Sequence, residues 1–117
     1  MLMSKINTKE STTIASVIEA VQSGSVNIDD LCVYAEEDVD DISLELICYL
    51  DEYPTVSGDI EVFSDFVVSN NLELVYYGQQ FKDVVINVLS QKKSASLEEV
   101  LSALNYYLEN DDFLEVN

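Results

Sequence analysis

Apolar residues recur along this chain at two periods, and the two periods mark out its elements. Ile14, Val17, Ile18 and Val21 share one face of a helix. Asn7 and Glu10 stand ahead of that face at capping-box spacing, so the pattern predicts a first helix from about Thr8 to Gln22, closed by Gly24. The apolar run LCVYA follows. Beyond an acidic stretch, ISLELICYL alternates, with Ile42, Leu44, Leu46, Cys48 and Leu50 on one side, which is the period of a half-buried strand. Two antiparallel strands joined across the acidic stretch place it at a turn or an edge.

Pro54 and Gly58 then punctuate a loop. Ile60, Phe63 and Phe66 or Val67 fall on one side of a short helix, with Asp59 as its expected N-cap. LELVYY is brief, aromatic and β-branched, and predicts a third strand ended by Gly78. Phe81, Val84, Val85, Val88 and Leu89 make a helical face between Gln79 and Gln91. Ser96 and Glu99 form a second capping box, opening a last helix that carries Leu97, Val100, Leu101, Leu104 and Leu108. The order αββαβαα predicts an α+β fold, a small antiparallel or mixed sheet of about three strands packed with about four helices. A single domain is expected over residues 1–117, loose at Met1–Ile6 and Glu115–Asn117.

Charge changes this picture from an ordinary domain to a specialised one. Hydrophobic residues make up 48% of the 117, a globular figure that argues against disorder despite a net charge of -18. The bases are Lys5, Lys9, Lys82, Lys92 and Lys93, so the 72 residues from Glu10 to Phe81 hold sixteen acids and no base. Five of those acids crowd into EEDVDD, Glu36 to Asp41. Direct binding to nucleic acid needs a basic face to neutralise phosphates, and none is available. An anionic membrane repels such a chain for the same reason. With no signal-like N-terminus and no apolar run of membrane length, a cytoplasmic protein is expected, with Cys32 and Cys48 as buried thiols.

Chemistry by the common routes finds few footholds. Arg, His and Trp are absent, so neither Cys nor any Ser has a histidine to activate it. An EF-hand counted from Asp38 would put Gly at its sixth position and Glu at its twelfth, where the chain has Ser43 and Tyr49. Gly24, Gly58 and Gly78 form no phosphate-cradling loop. Paired carboxylates carry no information where acids are this abundant. No enzyme activity, metal or cofactor is expected. A dense negative field instead accelerates association with a cationic partner and penalises wrong ones.

The segment FKDVVINVLSQKKSASLEEVLSALNYYLENDDFLEV resembles the C-terminal part of immunity proteins from bacterial contact-dependent growth inhibition systems. The matching residues are Gln91, Tyr106, Tyr107, Asp111 and Phe113, with Cys48, the acidic stretch and Pro54 matching more loosely upstream. The resemblance implies that Tyr107 and Phe113 close the core around the last helix and that Asp111 hydrogen-bonds near its end. It also implies a monomer that binds the toxic C-terminal domain of an effector, commonly a basic nuclease, in a 1:1 complex and without catalysis. Charge density places the main contacts at Glu36, Glu37, Asp38, Asp40 and Asp41, with Asp51, Glu52, Tyr49 and Tyr53 beside them. The alternative is an acidic DNA mimic that inhibits a restriction or CRISPR nuclease, which would spread its carboxylates along an elongated surface.

Overall fold

The computed structural model describes residues 7–36 and 41–115. Expectations attached to Met1–Ile6, to Glu37, Asp38 and Asp40, and to Val116 and Asn117 lie outside the described residues. In chain order the elements are β1 (Thr12–Thr13), α1 (Ile14–Ser23), a 3₁₀ turn (Ile28–Asp30), β2 (Leu31–Ala35) and β3 (Ile47–Glu52). Then come β4 (Thr55–Ser57), β5 (Ile60–Val62), α2 (Asp65–Ser69), β6 (Glu73–Tyr77), α3 (Gly78–Gln91) and α4 (Leu97–Asn110). The fold is α+β, with an antiparallel four-stranded sheet in the order β1-β3-β2-β6 and a separate hairpin of β4 and β5.

Burial explains why LCVYA is apolar almost throughout. β2 lies between β3 and β6 and is covered on both faces, so its side chains have no solvent side to alternate with. On one face Val33, Cys48, Leu50 and Tyr76 meet Ile14, Val17 and Ile18 of α1, Phe81, Val84, Val85 and Val88 of α3, and Val100, Ala103 and Leu104 of α4. On the other, Cys32 and Tyr34 meet Val67 and Leu72, with Tyr49, Phe63, Phe66 and Leu74 around them. A bulge adjusts the register at β6. Val33 pairs with Tyr76 and Tyr34 with Leu74, so Val75 is an extra residue and both it and Tyr76 join the helical face. Tyr76 is satisfied there, its hydroxyl donating to the Leu104 carbonyl at 2.9 Å.

Three expected boundaries move, each for a local reason. The first helix begins at Ile14, capped by Thr13, which accepts the Ser16 N–H at 3.2 Å. Asn7 and Glu10 do meet, at 3.3 Å, yet they close a turn, because Thr12 and Thr13 are extended and pair with Cys48 and Ile47. The strand expected from Ile42 starts only at Ile47. Leu44 and Leu46 turn their carbonyls to the first amides of α1, accepting from Ala15 at 3.0 Å and Ile14 at 3.2 Å. Ile42 still reaches the core, its amide and carbonyl both bonded to the Asn105 side chain.

Asp59 caps nothing, and this is the largest correction. Residues 60–62 are a strand, and the helix starts at Asp65 under a Ser64 cap that accepts the Val67 N–H at 3.3 Å. Four strands plus a hairpin therefore replace the expected three. Gly24 at φ 74 does close α1, and the Ser96–Glu99 capping box opens α4 with both of its bonds made. At the other end of α4, Tyr107 lies 5.4 Å from Phe113, ring to ring, and Asp111 donates its backbone N–H to the Tyr107 carbonyl at 2.8 Å. Tyr107 packs against the core, but Phe113 is exposed at 42%, so the expectation that Phe113 closes the core is corrected.

Candidate functional site

Asp51 follows Leu50 and therefore points away from the helices, toward the smaller aromatic cover. Its carboxylate accepts from the Ser64 hydroxyl and from Lys9 Nζ, the latter at 2.9 Å. Burial pushes its pKa up, but the Ser64 and Lys9 donors outweigh that and the net direction is down. The same bond raises the pKa of Lys9. Lys9 is itself held at φ 65, and its amide donates to the Leu50 carbonyl at 2.9 Å. The expected contact role of Asp51 is thus corrected. At 1% exposure it is a clasp joining the N-terminal turn, β3 and the cap of α2, with no surface to offer a partner.

The remaining expected contacts are not gathered in one place. Leu31 pairs with Glu52 at one end of β2, whereas Glu36 follows the opposite end. Five residues of strand separate these ends by about 17 Å. Glu36 is exposed at one end and Glu52 at the other, and Asp41 is also exposed. Glu37, Asp38 and Asp40 lie outside the described residues. Tyr49 and Tyr53 are both half-buried: Tyr49 meets the Phe66 ring at 5.7 Å, while Tyr53 stacks on Tyr77 at 5.7 Å and its hydroxyl accepts the Gln79 N–H at 3.1 Å. Their rings organise the second face more than they advertise it.

Positive charge is mostly spent within the molecule. Lys9 pairs with Asp51, Lys82 with Asp29 at 3.0 Å and Lys92 with Glu99 at 2.8 Å. The Lys92 bond holds the Glu99 carboxyl below its ordinary value. Cys32 and Cys48 are free, buried and on opposite faces of the sheet, and burial raises both thiols, Cys48 to about 12. Neither is a thiolate at neutral pH, so neither is poised as a nucleophile. Among the described residues no group of three or more Cys, Asp or Glu side chains is arranged to hold a metal ion. No helix among them is long and apolar enough to cross a membrane.

Sequence reasoning missed the β4–β5 hairpin, which holds the two most exposed large apolar side chains among the described residues. All six of its strand residues are exposed, with Val56 at 72%, Ile60 at 68% and Val62 at 49%. Its two-residue loop, Gly58 at φ 64 followed by Asp59 at negative φ, is the arrangement of a type II′ turn. A Gly-Asp pair between β-branched runs was the available signal. The hairpin is fixed at its base by aromatics: Tyr53 precedes it, and Phe63 follows it and meets Tyr34 edge-on at 6.2 Å.

A domain-family model matches residues 11–116, from β1 through α4. The chain belongs to the DUF7716 family. DUF7716 is described as a domain of unknown function, so membership fixes the extent of the domain and leaves its chemistry to be read from the residues. No curated protein and no solved structure matches this DUF7716 chain.

Proposed function

We propose that this DUF7716 chain is a cytoplasmic immunity protein that binds a basic toxin domain, a nuclease of a contact-dependent growth inhibition system, and occludes it without catalysis. One observation carries the reading: the whole sheet, the hairpin, α1 and α2 lie in a stretch with no basic residue, while Lys82 and Lys92 beyond it are engaged by acids. A nuclease must present cations to hold phosphates, so an acidic domain competes for that surface by charge and shape. The likeness of Gln91, Tyr106, Tyr107, Asp111 and Phe113 to immunity proteins supports the same partner. A rod-like DNA mimic fits less well, because the two longer extents of the molecule, 42 and 38 Å, are nearly equal.

The test is to co-express the chain with the product of the reading frame immediately upstream of its gene. A 1:1 complex is expected that abolishes toxicity and weakens steeply as NaCl rises from about 50 to about 300 mM. Replacing Asp38 and Asp40 by Lys should slow association and flatten that salt dependence. Failure to form a complex at the lower salt, or one indifferent to salt, rejects the reading.

A further inference from the structure

We infer that the outer edge of β5 is a docking edge for an extended segment of the partner, one whose residues alternate between apolar and basic. This rests on the reading of the chain as a binder of a basic protein, and it names the element that does the binding. β5 pairs with β4 on one side and with no strand of the described residues on the other. Exposed edges are guarded by short strand length, charged side chains, above all lysine, proline or a bulge. Thr55–Ser57 and Ile60–Val62 are three residues each and carry one charge, Glu61, but no lysine, proline or bulge.

The sequence along that edge is Asp59, Ile60, Glu61, Val62, strictly alternating acid and apolar. Period-two geometry puts Ile60 and Val62 on one face with Ser57 and Thr55, and puts Glu61 on the other opposite Val56. A strand laid beside β5 completes the pattern when its apolar side chains lie next to Ile60 and Val62 and its Lys or Arg lies next to Glu61. A second copy of this chain is a poor occupant. Antiparallel self-pairing about Glu61 sets carboxylate against carboxylate and joins two chains of charge -18. An isolated hairpin is marginal in water, and a third strand supplies the backbone hydrogen bonds and same-face side-chain neighbours that its outer edge lacks.

The experiment titrates the full-length protein with a six-residue peptide of alternating Lys and Val, followed by backbone amide NMR. Controls are the same peptide N-methylated at alternate residues and a Glu–Val counterpart. Saturable shifts centred on Ile60–Val62 are expected with the Lys–Val peptide and with neither control. Glu61→Lys should weaken binding about tenfold, with a single cooperative thermal melt showing that the domain stays folded although the side chain also interacts with Tyr77. Absence of saturable shifts in β5, equal binding by Glu61→Lys, or a β5-mediated dimer of the free protein overturns the inference. In the upstream-partner complex, Glu61→Lys and Ile60→Ser separate the two claims. A complex whose affinity they leave untouched removes the docking edge and spares the immunity reading, whereas no complex at all removes the immunity reading.

Discussion

Asp51 exchanges water for the Lys9 ammonium, the Ser64 hydroxyl and the Glu52 backbone N–H, and a buried carboxylate is tolerable only while such donors remain. Replacing it with Asn keeps a hydrogen-bonding side chain but leaves Lys9 unpaired, so a loss of about 1–3 kcal/mol is expected in urea unfolding at neutral pH. The sign with pH follows from the lowered pKa. The contribution of the ionised form is complete above the unfolded carboxyl value and disappears as pH falls through the lower folded one. The gap between wild type and Asp51→Asn should therefore narrow below about pH 4. An unchanged gap at pH 2 would show that charge is irrelevant at this position. In the sequence Asp51 was indistinguishable from a surface acid, because strand alternation placed it opposite Leu50, on the side that a singly covered sheet leaves wet. Only the return of Phe63, Phe66 and Val67 across that side makes it buried, and such a non-local contact has no signature in local periodicity.

Elements that touch at their backbones set a stricter limit than any side chain. Gly78 opens α3 directly after β6, and a Cβ there would lie 2.0 Å from the Ile28 carbonyl oxygen and 2.1 Å from that of Leu31. Neither oxygen belongs to a flexible group, so the 3₁₀ turn and the start of β2 would have to move away from α3. Gly78→Ala is expected to cost more than about 3 kcal/mol in urea unfolding, a loss beyond the ordinary range for a surface-to-interior change. A cost under about 1 kcal/mol would mean that the junction slides freely. The sequence marked Gly78 as a strand terminator, which is correct, but the close approach depends on a crossing of elements fifty residues apart. Helices were legible where a cap and a full apolar face coincided, as in α4 with Ser96, Glu99, Val100 and Leu104. The hairpin was not, because Ile60, Phe63 and Phe66 fall at helical spacing by accident: Ile60 belongs to a strand, Phe63 to its anchor and Phe66 to α2. β1, two threonines long, is too short for any periodicity to register.

For the molecule as a whole, the charge that favours a cationic partner opposes its own fold. Sixteen acids without a base between Glu10 and Phe81 repel one another in the native state more than in the expanded chain. Added salt screens that repulsion, while the clasp between Asp51 and Lys9, half inside the protein, is screened less. The melting temperature of the free protein should accordingly rise by several degrees as NaCl goes from about 10 to about 200 mM, then level off once the Debye length falls below the spacing of the acidic clusters. The ends of the sheet bearing Glu36 and Glu52, about 17 Å apart, are already uncoupled at the upper concentration. A flat or falling melt would mean that the three ion pairs outweigh the repulsion. Binding a basic partner must respond in the opposite sense, since the same ions that relieve the free domain compete with the partner for its carboxylates. Stability and affinity measured on one salt series thus diverge if the surface works by its charge, and move together if the carboxylates merely keep the domain in solution.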